Sequence, residues 1–378
     1  MLPYGKQTIS DEDIQAVVET LKSDFITTGP KIAEFEKKVA DFADAKFAIA
    51  VSNGTAALHC AMFAIGIEPG DEVIVPSMTF AATANCVRYM GGMPVFADSL
   101  PDSLLIDPAD VAKKITDRTK AVIAVDYAGQ PCDYDVLGKI CEVRGIHLIA
   151  DACHSIGSEY KGKKTGSIAE ITCFSFHPVK HITTGEGGMA VTDSAKFAEK
   201  MRMFRGHGIT TDYRQREEKG GHYYEMVELG FNYRITDFQC ALGISQLKKL
   251  PNWIKRRQEI AAIYDAAFAN FAEITHLRTS QDVSSAYHLY VIRLASNIDR
   301  DNVFRELRRN GIGVNVHYIP VHMHPYYKKL HAEQNIDVKC EIAEEAYEHI
   351  ISIPMFPAMT DKDVEEVIKC LNAAVKKV

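Results

Sequence analysis

A lysine stands in a polar, glycine-rich loop between two short apolar runs. The loop and its flanks, residues 174–188, read Phe-Ser-Phe-His-Pro-Val-Lys-His-Ile-Thr-Thr-Gly-Glu-Gly-Gly, and the lysine is Lys180. An ordinary surface lysine stays protonated and solvated, whereas one partly desolvated beside cationic or apolar neighbours can lose its proton and attack a carbonyl to form an imine. Lys180 is therefore a candidate nucleophile.

A carboxylate follows another apolar run. Asp151 comes directly after residues 146–150, which predict a strand, and His154 follows three residues later. The carboxylate could simply cap the next helix. Opposite a pyridine ring, it would keep the ring nitrogen protonated and make the ring an electron sink.

The third candidate is the turn Ser-Asn-Gly-Thr at residues 52–55, between a predicted strand and an apolar helix over 56–67. Free N–H groups at a helix start, a hydroxyl and a glycine would bind a phosphate, although an ordinary Ser/Thr helix cap has the same residues. Together, an anion site, a carboxylate and an amine are the groups that pyridoxal 5'-phosphate requires. All three follow predicted strands.

Seven short apolar runs alternate with helical patterns, which predicts a mostly parallel sheet covered on both faces by helices. They are residues 47–51, 73–75, 94–97, 121–125, 146–150, 171–176 and 189–191. In such sheets ligands bind beyond the carboxyl ends of the strands, where the three candidate groups lie. Two amphipathic helices precede the first strand, one starting at Ser10 and one containing Ile32 and Phe35. The turn between them, residues 25–30, is either a connector or the lip of a site.

A smaller α/β layer is predicted in the last third of the chain. The pattern is helical from residue 235 to 267, strands are predicted at 288–294 and 313–318, and helices near 301–309, 339–349 and 361–375. We expect a large cofactor-binding domain over residues 1–245 and a smaller C-terminal domain over 246–378.

Composition excludes several classes of function. The chain has 378 residues, 47% hydrophobic and 25% charged, with 43 basic and 50 acidic residues and a formal charge of -7. It has no basic block, so we expect no nucleic-acid partner. It also lacks a signal-peptide core and an apolar run long enough to span a membrane.

Cysteine and histidine spacing argues against a metal site. Nine cysteines without a CxxC pair disfavour a disulfide framework or a thiolate zinc site and are typical of a reducing cytoplasm. His317, His322 and His324, with Pro320 between them, do not share a helix face, so we expect no metal ligation.

The chain resembles the sugar aminotransferases of the DegT/DnrJ/EryC1/StrS family. The matching segments are residues 3–30, 52–59, 125–131, 151–157, 174–188, 230–247 and 311–327. Within the family it is most similar to the UDP-4-amino-4,6-dideoxy-N-acetyl-β-L-altrosamine transaminases of pseudaminic acid synthesis, above all in segments 126–131, 174–188 and 313–327. The resemblance implies the α/β fold type I of pyridoxal phosphate enzymes.

The resemblance also implies roles for individual residues around the cofactor. Lys180 matches the Schiff-base lysine, Asp151 the partner of the ring nitrogen, His154 a residue near the phenolic oxygen, and Phe80 a side chain on the ring face. Phe80 could instead belong to the core. The phosphate-binding positions match Gly54, Thr55 and Ser175.

Other matched residues concern a second subunit and the sugar. Asn232 matches an asparagine that reaches the phosphate of the neighbouring subunit's cofactor, which implies a homodimer with shared active sites, although Asn232 could be a plain turn residue. The substrate-contact positions match Tyr4, Thr27, Thr28, Asn315, His317 and Tyr318.

The activity implied by the resemblance is transfer of an amino group from L-glutamate to C4 of a UDP-linked 4-keto-6-deoxy-N-acetylhexosamine. Family members that remove a sugar hydroxyl carry His in place of Lys180, so transamination is favoured. Three alternatives stay open. They are a UDP-4-keto-pentose of lipid A modification, a dTDP-4-keto-6-deoxyhexose, and a cofactor-binding regulator without turnover, for which the chain offers no helix-turn-helix or basic patch.

Overall fold

A large, mostly parallel sheet organises the chain, as the alternating apolar runs predict. The structure is a computed structural model, and it describes residues 1–211, 216, 220–269 and 271–377. Within them, seven strands pair in the order β1-β9-β8-β5-β4-β2-β3, and only β9 runs antiparallel to its neighbours. Their bounds are β1 Phe47–Val51, β2 Glu72–Pro76, β3 Met93–Ala97, β4 Thr119–Val125, β5 His147–Asp151, β8 Ile171–Ser175 and β9 Gly188–Thr192.

Two small antiparallel sheets account for the other strands in the described residues. One consists of β11-β6-β7 and the other of β10-β12-β13. Their bounds are β6 Glu159–Tyr160, β7 Lys163–Lys164, β10 Ile274–His276, β11 Val283–Ser284, β12 Tyr290–Leu294 and β13 Ile350–Ile353.

Helices pack on both faces of the large sheet and on the C-terminal layer. The helices before residue 210 are α1 Asp11–Leu21, α2 Pro30–Ala43, α3 Gly54–Ile65, α4 Ala82–Tyr89, α5 Pro108–Lys114, α6 Tyr134–Arg144 and α7 Ala195–Arg205. Those after residue 220 are α8 Asp237–Leu247, α9 Leu250–Phe268, α10 Arg300–Arg309, α11 Pro325–Glu333, α12 Glu341–His349 and α13 Asp361–Lys377. Short 3-10 turns are Tyr127–Gly129, Thr165–Ser167 and Val321–Met323.

Strand β1 shows how the sequence builds two cores. Successive side chains of a strand point to opposite faces of the sheet. Ile49 and Val51 pack in the core on the α3 side, whereas Ala48 and Ala50 pack with α2 and α8 on the other. Both faces are therefore buried, which explains why the run is continuously apolar.

A third apolar cluster lies in the C-terminal part of the chain. It joins α9, α10 and α13 to the strands β10, β12 and β13. The predicted division into residues 1–245 and 246–378 stays a prediction. Among the described residues, no helix has both the length and the apolar character needed to cross a bilayer.

The strand predicted at residues 313–318 is wrong. Asn315 forms one isolated bridge with Ser352, through backbone hydrogen bonds of 3.1 and 2.7 Å, and no regular strand continues from it. The segment instead turns toward the carboxyl end of the large sheet. Helix α11 was also not predicted.

Candidate active site

The site forms where β1, β5 and β8 end. Because β9 is antiparallel, its first residue, Gly188, pairs with both Val51 and Ser175, the last residues of β1 and β8. A Cβ on Gly188 would lie 2.4 Å from the carbonyl oxygen of Asn53. Glycine at this position therefore lets the turn before α3 lie directly against the sheet.

A cavity of about 850 Å³ opens at this edge. It brings together most of the residues predicted from the sequence. Those lining it are Tyr4, Gly54, Thr55, Phe80, Asp151, His154, Ser175, Lys180, Asn315, His317 and Tyr318. Thr27, Thr28 and Asn232 do not line it.

Lys180 is held by a compact loop. The Phe176 N–H donates to Gly187 O at 2.8 Å and the Thr184 N–H donates to Phe176 O at 3.0 Å, closing the loop at its base. Lys180 is partly buried, and burial lowers its pKa below the usual 10.5, against the opposing effect of the nearby Cys153 and Asp151. The lowered pKa increases the fraction of neutral, nucleophilic amine.

Asp151 is a buried carboxylate fixed by hydroxyl groups. Thr83 Oγ1 donates to Asp151 Oδ2 at 2.7 Å, and Thr79 Oγ1 lies 2.8 Å from Thr83 Oγ1. The Cys153 N–H approaches Oδ1 at 3.3 Å. The described chain continues from Asp151 in turns, and no helix starts there, so the alternative of a helix cap is wrong.

The turn before α3 has the features of an anion site. The cap of α3 is Asn53, whose Oδ1 accepts the Ala56 N–H at 2.8 Å. Thr55 therefore does not serve as the cap, and its hydroxyl has no hydrogen bond within the described residues. Gly54 sits close to Ser175, since a Cβ on it would lie 2.9 Å from Ser175 Cβ. The helix start, with its N–H groups and dipole, favours a phosphate here.

Three neutral histidines lie in a row, and two of them, His154 and His288, line the cavity. His154 Nε2 lies 3.1 Å from Tyr318 Oη, and the His154 ring is 4.4 Å from that of His288. The ring of His288 is in turn 5.5 Å from that of His181. Burial lowers the pKa of all three histidines well below 6.5, so they are uncharged near pH 7.

A further part of the cavity lining comes from residues 4 and 315–318. His317 Nδ1 lies 2.8 Å from Ser352 Oγ, its Nε2 lies 3.2 Å from Asn315 Nδ2, and its ring packs 5.3 Å from that of Tyr4. The Tyr127 hydroxyl donates to the carbonyl of His317. Phe80 is 60% exposed, so the alternative that it is a core residue is wrong. Its ring lies 5.9 Å from that of Tyr318.

His322 has partners away from the cavity. Its Nδ1 lies 2.6 Å from Ser77 Oγ and its Nε2 lies 3.0 Å from Glu344 Oε1. These contacts hold the 3-10 turn Val321–Met323 against α12 and the residue that follows β2.

Sequence reasoning missed several residues of the site. Thr83 lies in α4, and its position in the sequence gave no sign of a functional role. Asp126 is buried and accepts from Ser155 Oγ at 2.6 Å and Tyr134 Oη at 2.8 Å, which links the ends of β4 and β5. Tyr233, Glu186 and His288 also line the cavity.

Fold and site define a pyridoxal phosphate-dependent aminotransferase of fold type I. The model of the DegT/DnrJ/EryC1/StrS aminotransferase family matches residues 7–372, and the chain belongs to this family. It is thus a sugar aminotransferase that uses pyridoxal phosphate, an amino donor and a sugar substrate. The family and fold expected from the sequence are confirmed.

Three relatives illustrate the match. The chain is 40% identical to the spore coat polysaccharide biosynthesis protein SpsC of Bacillus subtilis, over 99% of this chain and 97% of SpsC. It is 32% identical to Helicobacter pylori PseC, an aminotransferase involved in the biosynthesis of pseudoaminic acid, with a TM-score of 0.93 and full coverage of both chains. A Streptococcus pneumoniae protein solved in its PMP form gives the same identity, TM-score and coverage.

Proposed function

We propose that this enzyme transfers an amino group from L-glutamate to C4 of a UDP-linked 4-keto-6-deoxy-N-acetylhexosamine, giving UDP-4-amino-4,6-dideoxy-N-acetyl-β-L-altrosamine. The observation that carries the proposal is the placement of Lys180 in the same cavity as the wall of residues 315–318. Those two segments are the ones in which the sequence most resembles the transaminases of pseudaminic acid synthesis.

The residues present fit the cofactor. Lys180 would bind its aldehyde carbon, and Asp151 would pair with its ring nitrogen. The hydroxyl of Thr55, which has no hydrogen bond within the described residues, would hold the phosphate at the start of α3 together with Gly54 and Ser175. Pyridoxal phosphate supplies an electron sink when it is bound. His154 would lie near the phenolic oxygen and Phe80 on the ring face.

Lys180 would also move the proton. A neutral amine in the cavity can take a proton from the reacting carbon of glutamate and return one to C4 of the sugar, which is general acid–base work. Burial lowers the pKa of Lys180 and so favours the neutral amine, and burial also lowers the pKa of His154, which leaves its ring uncharged near pH 7. Both proton transfers would therefore use the same atom, Nζ of Lys180.

The sugar nucleotide would lie along Tyr4, Asn315, His317 and Tyr318. Asn315 and His317 contact each other, His317 also contacts Ser352, and the Tyr318 hydroxyl contacts His154, so these side chains are held in place where they line the cavity. The match to PseC supports a pseudaminic-type sugar, whereas the match to SpsC supports only a sugar destined for a polysaccharide.

We further propose a cytoplasmic homodimer with shared sites. Asn232 is exposed and outside the cavity of its own chain, so it is free to reach the cofactor phosphate of a second copy. Thr27 forms a backbone bridge with Thr236, in the segment that follows Asn232, and Thr28 is the next residue. These threonines would contact the substrate bound to the second copy.

The test is mass spectrometry of the products from a panel of UDP-linked and dTDP-linked 4-keto sugars with glutamate. The proposal expects amination of the UDP-linked hexosamine only, seen as a product ~1 Da heavier than the keto sugar because CH–NH₂ replaces C=O. Lys180→Arg keeps a long basic side chain that cannot form the imine or act as a neutral amine, and it is the control that should give no product. A product from a dTDP sugar or from a UDP-4-keto-pentose alone would refute the substrate and leave the family intact.

A further inference from the structure

The extended segment 230–234 is docked between two elements of its own chain. Phe231 and Tyr233 donate their N–H groups to carbonyls of α7 at 2.8 and 3.0 Å. On the other side, the Ser52 N–H donates to Tyr233 O at 2.8 Å. The segment therefore lies against the turn that leads into α3 and the phosphate site.

Neighbouring side chains of this segment serve different surfaces. In extended backbone, successive side chains point in opposite directions. Tyr233 lines the cavity of its own chain, whereas Asn232 is exposed outside it. Large apolar side chains are also exposed between residues 223 and 231, with Leu229 at 78%. They are Tyr223, Tyr224, Met226, Val227, Leu229 and Phe231. Exposed apolar side chains of this kind are typical of a protein interface, and a second copy of the chain would cover them in the proposed homodimer.

A buried histidine fixes Tyr233. His59, on α3, is 2% exposed, and its Nδ1 lies 3.0 Å from Tyr233 Oη. Its ring packs against Phe204 and Phe231, each with centroids 5.0 Å away. Burial lowers the pKa of His59 to about 4, so the ring is neutral near pH 7 and shares one hydrogen bond with the tyrosine hydroxyl. No other described residue forms a hydrogen bond with the Tyr233 hydroxyl.

We propose that His59 and Tyr233 are positioning residues that hold Asn232 in place for the cofactor phosphate of the second copy. This inference rests on the proposed homodimer with shared sites. The hydrogen bond anchors the side chain of Tyr233, and the backbone of Tyr233 carries Asn232 on the opposite face. The hydrogen bond between His59 and Tyr233 would therefore affect cofactor binding in the second copy rather than in its own chain.

The experiment uses heterodimers of two differently tagged chains. One chain carries Lys180→Ala, so that only the other can link the cofactor to lysine and give the shifted absorbance of the linked form. Tyr233→Phe is placed in the Lys180→Ala chain or in the lysine-containing chain. Titration of the apo-heterodimer with pyridoxal phosphate then gives the dissociation constant of the lysine-containing site alone.

We expect Tyr233→Phe to weaken cofactor binding about fivefold when it lies in the chain opposite the lysine-containing site, the magnitude of one hydrogen bond. In the same chain as the lysine, the change should stay within about twofold. A loss confined to the same chain, or no loss in either position, would overturn the inference.

Two further sets of variants separate the possible failures. Asn232→Ala in the opposite chain should also weaken binding. If it does not, the shared-site dimer itself is wrong, whereas a loss with Asn232→Ala but none with Tyr233→Phe refutes the positioning role alone. His59→Asn keeps a side chain that can donate or accept a hydrogen bond near the place of Nδ1, and it should bind the cofactor like the wild type. His59→Leu lacks any hydrogen-bonding group and should match Tyr233→Phe. Equal losses for the two His59 variants would point to packing and overturn the inference.

Discussion

Replacing Thr83 by valine tests whether Asp151 is held for the ring nitrogen of the cofactor. The change removes a hydroxyl but keeps the shape of the side chain. Asp151 then loses its 2.7 Å hydrogen bond from Thr83 Oγ1 and keeps the longer contact of 3.3 Å from the Cys153 N–H. A hydrogen bond to a charged group contributes about 2 kcal/mol, so we expect the dissociation constant for pyridoxal phosphate to rise ~30-fold.

The assay is equilibrium titration of the apoenzyme with pyridoxal phosphate, followed by absorbance. Thr79→Val is the matched control, because it removes the 2.8 Å contact between Thr79 and Thr83 but leaves the bond from Thr83 to Asp151. The control should bind the cofactor within about threefold of the wild type, less than the full value of one hydrogen bond. Equal affinities for Thr83→Val and the wild type, or equal losses for the two variants, would refute the reasoning.

Three further predictions concern charge, space and a buried cation. Burial raises the pKa of Asp126 from 3.8 to about 7, so the folded state holds this proton more tightly and the free energy of unfolding falls as the pH rises through that range. Asp126→Asn should flatten this slope, by at most about 1.4 kcal/mol per pH unit, in denaturant titrations at several pH values. Gly54→Ala places a Cβ 2.9 Å from a neighbouring Cβ and should weaken cofactor binding ~10-fold, whereas Gly138→Ala in α6, which meets open space, should leave binding unchanged. Arg257→Met leaves three backbone carbonyls without the guanidinium donor and should lower the free energy of unfolding by about 3 kcal/mol in thermal denaturation. Arg256→Met removes an exposed ion pair with Asp361 and a single hydrogen bond to the Met359 carbonyl, and should lower it by only about 1 kcal/mol.

The large sheet could be predicted because its strands are buried on both faces. Each contains a short apolar run, and all seven predicted runs pair in one sheet. The segment 313–318 has the alternating pattern of a strand, with Val314 and Val316 as apolar residues, yet its pairing ends after Asn315. Local pattern does not reveal that hydrogen bonds to Ser352 and Tyr127 direct His317 toward the cavity.

The residues of the candidate site also fall into two groups, those that the sequence could predict and those that it could not. Lys180, Asp151 and Gly54 follow strand ends, so the topology of a parallel sheet brings them together. Thr83 and Asp126 act through contacts between elements far apart in sequence, and nothing in their own spacing signals this. Asn232 could be found only through resemblance, because its proposed partner lies on a second chain.

The central claim is that the nitrogen of Lys180 binds the aldehyde of the cofactor. Borohydride reduction of the holoenzyme, followed by proteolysis and mass spectrometry of the peptides, tests it most directly. The account predicts a reduced pyridoxyl group on the peptide that contains Lys180. A label on another lysine, or a holoenzyme that yields no labelled peptide, would contradict it.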